Sequence, residues 1–177
     1  MLLTSYTYDQ VNHLRQVAMP RNTANGMKTQ TRTFVYDPTT LRLTSATNPE
    51  NGTVSYTYNA DGTLYSKTDA NNNTETYTYD AYQRLTAISD HAQTFTYDTC
   101  PANATGCANA WGQLVQATFG GAGSTVGPND LVFRYNYAYT PAGKVSSKTL
   151  EVQSYNHLNM GGGYAYGAAS GPIGFLC

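Results

Sequence analysis

The chain has 177 residues, of which only 12% are charged, and a formal net charge of −1. It is too poor in charge for a disordered polyelectrolyte, and its scattered basic residues form no Lys/Arg stripe for neutralising phosphates, so nucleic acid is not an expected partner. No apolar run approaches the length of a membrane span, and Met1-Leu2-Leu3 leads into Ser5 without the basic and apolar regions of a signal peptide.

The aromatic share is 12% and nearly all tyrosine: 16 Tyr against 5 Phe and 1 Trp. Tyrosine and threonine suit a pleated, half-buried surface, and Asn, Gly and Asp are turn residues. An all-β chain of short strands is therefore expected. In chain order, an aromatic–x–Tyr triplet is followed by a turn and an aliphatic residue. The first three copies run from Tyr6 and Tyr8 to Leu14, from Phe34 and Tyr36 to Leu43, and from Tyr56 and Tyr58 to Leu64. The next three run from Tyr77 and Tyr79 to Leu85, from Phe95 and Tyr97 to Leu114, and from Tyr137 and Tyr139 to Val145. The period is about 21 residues, in the range of solenoids and arrays. A β-sandwich also turns at short intervals, but it does not repeat one phrase at a fixed spacing.

Each copy predicts a hairpin. Aromatics at i and i+2 share a strand face. The Asp or Asn that follows, such as Asp80, opens a turn by capping its own backbone. Gly62, Gly112 and Gly143 stand two residues before the aliphatic, where a tight turn requires positive φ. Asn12 and Gln83 hold that place elsewhere, and a more open turn is expected at Gln83. A second strand then starts at the aliphatic. On plain alternation its face becomes small and polar (Leu64, Ser66, Thr68), which fits a sheet with one face on water. A turn such as Asp69–Asn73 leads to the next copy. One hairpin is marginal alone, whereas stacked hairpins cover one another's rings. The array is expected over residues 1–152, and residues 153–177 read as a degenerate repeat or a Gly/Ala-rich tail.

The phrase Tyr77-Thr78-Tyr79-Asp80-Ala81-Tyr82-Gln83-Arg84-Leu85 resembles the YD repeat of the RHS (rearrangement hotspot) family, whose pattern is Tyr-x-Tyr-Asp-x-x-Gly-Arg-Leu. The stretches from Tyr139 to Val145 and from Tyr58 to Leu64 are further matches. The resemblance implies tandem antiparallel hairpins forming a curved, spiralling sheet, part of a hollow shell that encloses or presents a C-terminal toxin or effector. It implies as partners the remainder of a larger RHS polypeptide and its effector, and a secreted or cell-surface setting supplied by that larger protein. Relatives of this kind include bacterial polymorphic toxins, insecticidal toxin complexes, wall-associated proteins and teneurins. The family's Asp-Pro-x-Gly cleavage element has only a faint echo in Gly171-Pro172-Ile173-Gly174, to which no proteolysis is assigned. The chain reads as a fragment of a repeat array.

Cys100 and Cys107 bracket an insertion in the fifth copy, a site where a disulfide can close in an oxidising compartment. No further Cys or His pair accompanies them for zinc, and Cys177 is expected to be free. Asp69-Ala70-Asn71-Asn72-Asn73-Thr74-Glu75 has calcium-loop spacing at its start, but Thr74 stands where that loop needs glycine, so the turn explains it better. His13 takes the Arg position of its copy and is expected on an exposed strand. His91 and His157 lie in other segments. No nucleophile elbow, zinc helix or phosphate loop occurs, and the glycine-rich stretch at 120–124 reads as a loop. The chain is expected to be no enzyme and to need no cofactor. An alternative is a surface or cell-wall module binding carbohydrate through exposed tyrosines, and a hidden hydrolase ranks last. A shell predicts tyrosine pairs covered between copies. A sugar-binding face predicts Tyr6, Tyr56, Tyr77 and Tyr137 facing solvent.

Overall fold

A computed structural model of the chain describes residues 2–102, 107–120 and 131–154. The tail from residue 155, with His157, Cys177 and the Gly171–Gly174 phrase, lies outside the described residues, as does the glycine-rich loop from residue 121. The described residues are all-β apart from one 3-10 turn, Asp90–Ala92. The strands are β1 (Ser5–Tyr8), β2 (Leu14–Thr23), β3 (Gly26–Tyr36), β4 (Leu43–Asn48), β5 (Gly52–Tyr58) and β6 (Leu64–Thr68). They continue with β7 (Thr74–Tyr79), β8 (Leu85–Ile88), β9 (Gln93–Tyr97), β10 (Leu114–Phe119), β11 (Leu131–Tyr139) and β12 (Val145–Ser154). Every strand pairs antiparallel with its neighbour in the chain. The chain divides into two compact units, residues 1–76 and 77–177, with the division inside β7.

The six tyrosine phrases end β1, β3, β5, β7, β9 and β11, and the aliphatic residues open β2, β4, β6, β8, β10 and β12. In every hairpin the second tyrosine pairs directly with the aliphatic: Tyr8 with Leu14, Tyr36 with Leu43, Tyr58 with Leu64, Tyr79 with Leu85, Tyr97 with Leu114 and Tyr139 with Val145. One step further in, the register slips by one residue, so each returning strand carries a β-bulge at the residue after the aliphatic.

The bulge corrects the expected alternation of the returning strand. Leu64 lies beside Tyr58 and Lys67 beside Tyr56, whereas Ser66 pairs with Thr57 on the other face. The aromatic face of the first unit thus runs through Phe34, Ala46, Val54, Tyr56 and Lys67. Ala46 and Val54 are buried there. The opposite face carries cross-strand hydroxyl pairs: Thr47 with Thr53 at 2.7 Å, Thr57 with Ser66 at 2.6 Å, and Thr68 with Thr74 at 2.8 Å. In the second unit that face is not simply wet. Gln116 and Asn136 pair across β10 and β11 with both side chains buried, and Gln116 Nε2 donates to Asn136 Oδ1 at 2.8 Å.

Candidate functional site

The six turns share one construction. The backbone N–H after the second tyrosine donates to the carbonyl of the residue before the aliphatic, as in Asp80 to Arg84 at 3.0 Å and Asn59 to Thr63 at 2.9 Å. The Asp carboxylate then accepts backbone N–H groups of its own turn. Asp9 takes Val11 and His13, Asp37 takes Thr39 and Thr40, and Asp80 takes Tyr82 and Arg84. These bonds favour the ionised carboxylate. The His13 N–H is the main cause of Asp9's lowered pKa, and the Thr40 N–H that of Asp37. Thr140 does the same work with a hydroxyl, accepting from Lys144 N at 3.2 Å. Asp69 caps its inter-repeat turn identically, through Asn71 and Asn73, so its oxygens serve the turn.

The residue two before the aliphatic has positive φ in all six turns: Asn12, Leu41, Gly62, Gln83, Gly112 and Gly143. The turn at Gln83 is not more open than the rest. Gln83 N donates to Asp80 O at 3.0 Å, as Gly62 N does to Asn59 O. Asp80 offsets the strain at this residue by holding the N–H on either side of it. The Asp37 turn is longer by one residue, and Leu41 N closes it on Asp37 O.

The seam between consecutive hairpins is where the repeat phrase acquires its meaning. In three seams the second tyrosine donates its hydroxyl to the main-chain carbonyl of the preceding hairpin's aliphatic residue. Tyr58 reaches Leu43 O at 2.8 Å, Tyr97 reaches Leu85 O at 3.0 Å and Tyr139 reaches Leu114 O at 2.7 Å. Burial comes first among the causes that raise all three phenol pKa values, so these tyrosines are neutral donors at physiological pH. A phenylalanine would fill the space but not make the bond.

The residue before the aliphatic covers the next hairpin's second tyrosine in three seams. Arg42 lies over the Tyr58 ring at 5.7 Å and Arg84 over the Tyr97 ring at 4.4 Å. His13 is not an exposed strand residue. It precedes β2, is half-buried, and stacks on Tyr36 at 4.6 Å, because a planar ring serves the same contact as a guanidinium. The same residue also leans on the next turn. A Cβ on Gly62 would come 2.5 Å from Arg42 Nη2, and one on Gly143 would touch Gln113 Nε2 at 3.5 Å. Gly62 therefore serves both its backbone angle and the passage of Arg42.

The most polar seam joins β7–β8 to β9–β10. Arg84 Nε donates to Asp80 at 2.7 Å, and its two terminal nitrogens reach both oxygens of Asp98 at 3.1 and 2.6 Å. This bidentate fork is the strong geometry for a guanidinium and a carboxylate. The Arg84 hydrogen bond is the first cause of Asp98's lowered pKa, with the Gly112 N–H second. At Asp80 burial pulls the other way, and the Arg84 backbone and side-chain bonds overcome it.

Cys100 and Cys107 are bonded, with Cα atoms 5.8 Å apart. The segment that follows Cys107 folds onto the next hairpin: Ala108 O accepts from Tyr139 N at 3.0 Å, Asn109 donates to Tyr139 O, and Ala110 is buried. Tyr56, Tyr77 and Tyr137 are half-buried rather than aligned in solvent. Tyr6 and Tyr8 are exposed, as are Tyr82 and Trp111 at equivalent turn positions. Among the described residues, no group of three or more His, Cys, Asp or Glu is placed to hold a metal.

The profile of the RHS repeat matches residues 58–96, a stretch that starts at the seam tyrosine Tyr58 and takes in the whole β7–β8 hairpin. The chain carries the RHS repeat. In this light the Tyr, Asp, Gly, Arg and Leu of the RHS phrase are the seam donor, the turn cap, the positive-φ residue, the ring cover and the seam acceptor. No curated protein matches the chain. Among solved structures it is similar to a Tc holotoxin pore of Photorhabdus luminescens carrying a point mutation in TccC3, at 19% identity and a TM-score of 0.45, over 87% of this chain and 9% of that one. It is also similar to a TcdB2–TccC3–Cdc42 complex, at 14% identity and a TM-score of 0.29, over 84% and 11%. The chain thus spans about a tenth of the length of either.

Proposed function

We propose that this chain is a wall segment. Its RHS hairpins build, copy upon copy, part of a β-shell belonging to a larger polypeptide, and that shell encloses or presents a C-terminal effector outside the cell. The observation that carries this reading is the recurrent bond from a tyrosine hydroxyl to the preceding hairpin's main chain. Side chains with the most specific chemistry here, Arg84, Asp80 and Asp98, are spent on joining hairpins and not on a concave site. The disulfide-closed loop agrees with an oxidising setting. The half-covered state of Tyr56, Tyr77 and Tyr137 favours the wall over an open sugar-binding row.

Limited proteolysis of the full RHS polypeptide containing this chain tests the reading. Under native conditions the effector segment is expected to survive protease and to be cut only once the wall is unfolded. Equal cutting in both states would overturn enclosure.

A further inference from the structure

The seam between β9–β10 and β11–β12 is joined differently from its neighbours. At Tyr58 and Tyr97 the residue before the preceding aliphatic is an arginine, and Arg42 and Arg84 cover the rings. At Tyr139 that place belongs to Gln113, a neutral side chain that leans on the Gly143 turn. The ladder between β10 and β11 also stops at Gln116–Asn136, short of Tyr139. The insertion between Asp98 and Ala110 fills the gap. Tyr139 N donates to Ala108 O at 3.0 Å, and Tyr139 O accepts from Asn109. Both main-chain bonds come from the two residues directly after Cys107, and they add to the hydroxyl bond on Leu114 O.

The disulfide decides how firmly those two residues are placed. Asp98 anchors the start of the insertion, since its N–H donates to Gln113 O and its carboxylate accepts from Gly112 N. The Cys100–Cys107 bond then holds the two Cα atoms 5.8 Å apart, so the path from Asp98 to Ala108 is short in space although long in sequence. Without that bond the same span is one open loop, and keeping Ala108 on Tyr139 costs more conformational entropy. The bond is also within reach of a reductant, because Cys100 is exposed and Cys107 only half-buried.

We propose that the Cys100–Cys107 bond is a redox latch on this one seam. A dithiol reductant supplies the two electrons. Its thiolate attacks Sγ of the exposed Cys100, the S–S bond breaks, and Cys107 leaves as a thiolate that takes up a proton. The second thiol of the reductant then attacks the mixed disulfide, releases Cys100 as a thiol and closes the reductant's own disulfide. Ala108 and Asn109 then leave Tyr139 more often, and β11–β12 loosens from β9–β10. The Tyr58 and Tyr97 seams hold no cystine and stay closed. A wall built with this chain thus opens first at this hairpin when it passes from an oxidising to a reducing compartment. The inference rests on the seam geometry and not on enclosure of an effector, so either can fail without the other.

Amide hydrogen exchange of the whole chain, followed by NMR with and without dithiothreitol, tests it. All samples carry Cys177→Ser, so that a third thiol cannot exchange into the bond. On reduction the Tyr139 amide is expected to exchange about tenfold faster, as the closure entropy of a small loop is lost. Amides within β3–β6 are expected to keep their rates within about twofold, and reoxidation to restore the slow rate at Tyr139. Cys100→Ser with Cys107→Ser is expected to exchange fast at Tyr139 in both buffers, with circular dichroism checking that the variant keeps its strands. A Tyr139 amide that ignores the reductant, or one that speeds no more than the amides of β3–β6, overturns the proposal.

Discussion

The first and last hairpins carry the same phrase, yet their tyrosines have opposite fates. Tyr8 on β1 is 53% exposed, whereas Tyr139 on β11 is 8% exposed and bonded to the Leu114 carbonyl. The turn caps do not explain the difference, since both turns close with the same backbone bond, Asp9 N to His13 O and Thr140 N to Lys144 O. What differs is the preceding neighbour. A hairpin of this type makes its own turn but does not cover its own ring.

The largest effect should come from deleting the covered ring. Tyr139→Ala is expected to cost about 3–5 kcal/mol, as for other buried aromatics, while Tyr8→Ala should stay within about 1 kcal/mol of wild type. Urea unfolding of the two variants measures the gap, and equal losses would break the comparison. Next comes the disulfide, whose Cys107 leads directly into Ala108 and Asn109 on the Tyr139 backbone. Closing a loop with a sequence separation of 7 is worth about 2–3 kcal/mol on the chain-entropy model. Cys100→Ser with Cys107→Ser should lose about that much, and thiol titration of the denatured, unreduced protein should find Cys177 alone. Finding three thiols would remove the bond from the account.

A smaller step removes only the seam hydroxyl. Tyr139→Phe and Tyr97→Phe should each cost about 1 kcal/mol, and Tyr8→Phe nearly nothing, in the same unfolding assay at low concentration. The finest test is electrostatic. Asp9 owes its lowered pKa chiefly to a backbone N–H of its own turn, whereas Asp98 owes its own chiefly to Arg84 of the preceding hairpin. In Arg84→Gln, NMR titration should find Asp98 moved up toward the ordinary carboxylate value, with Asp9 unmoved. The sign for stability follows from the depressed folded pKa. The Asp98 contribution is present above the ordinary carboxylate range and is lost as pH falls through the lowered value. The variant should lose that part of its acid dependence.

The hairpins, their tyrosine phrases and the Asp caps were legible in the sequence because each depends on residues close together in the chain. The bulge was not. It displaces Ser66 from the Leu64 face by one residue, and alternation counted from Leu64 gives no sign of the slip. Leu41 at positive φ was hidden by the extra residue in the Asp37 turn. The phrase showed that a tyrosine recurs, but not that its hydroxyl reaches a carbonyl 15 residues back in Tyr58 or 25 back in Tyr139. One signal was available: the second aromatic is always Tyr, whereas the first is Phe at Phe34 and Phe95. A position that accepts only the phenol points to its oxygen.

The acceptor in the three hydroxyl seams is a peptide carbonyl, a group that no point mutation can delete. Half of each joint is thus guaranteed by having a backbone at all, and only the incoming copy must bring the right ring. Duplicating, deleting or shuffling one module leaves a workable junction on each side, so such an array can change in length without redesign.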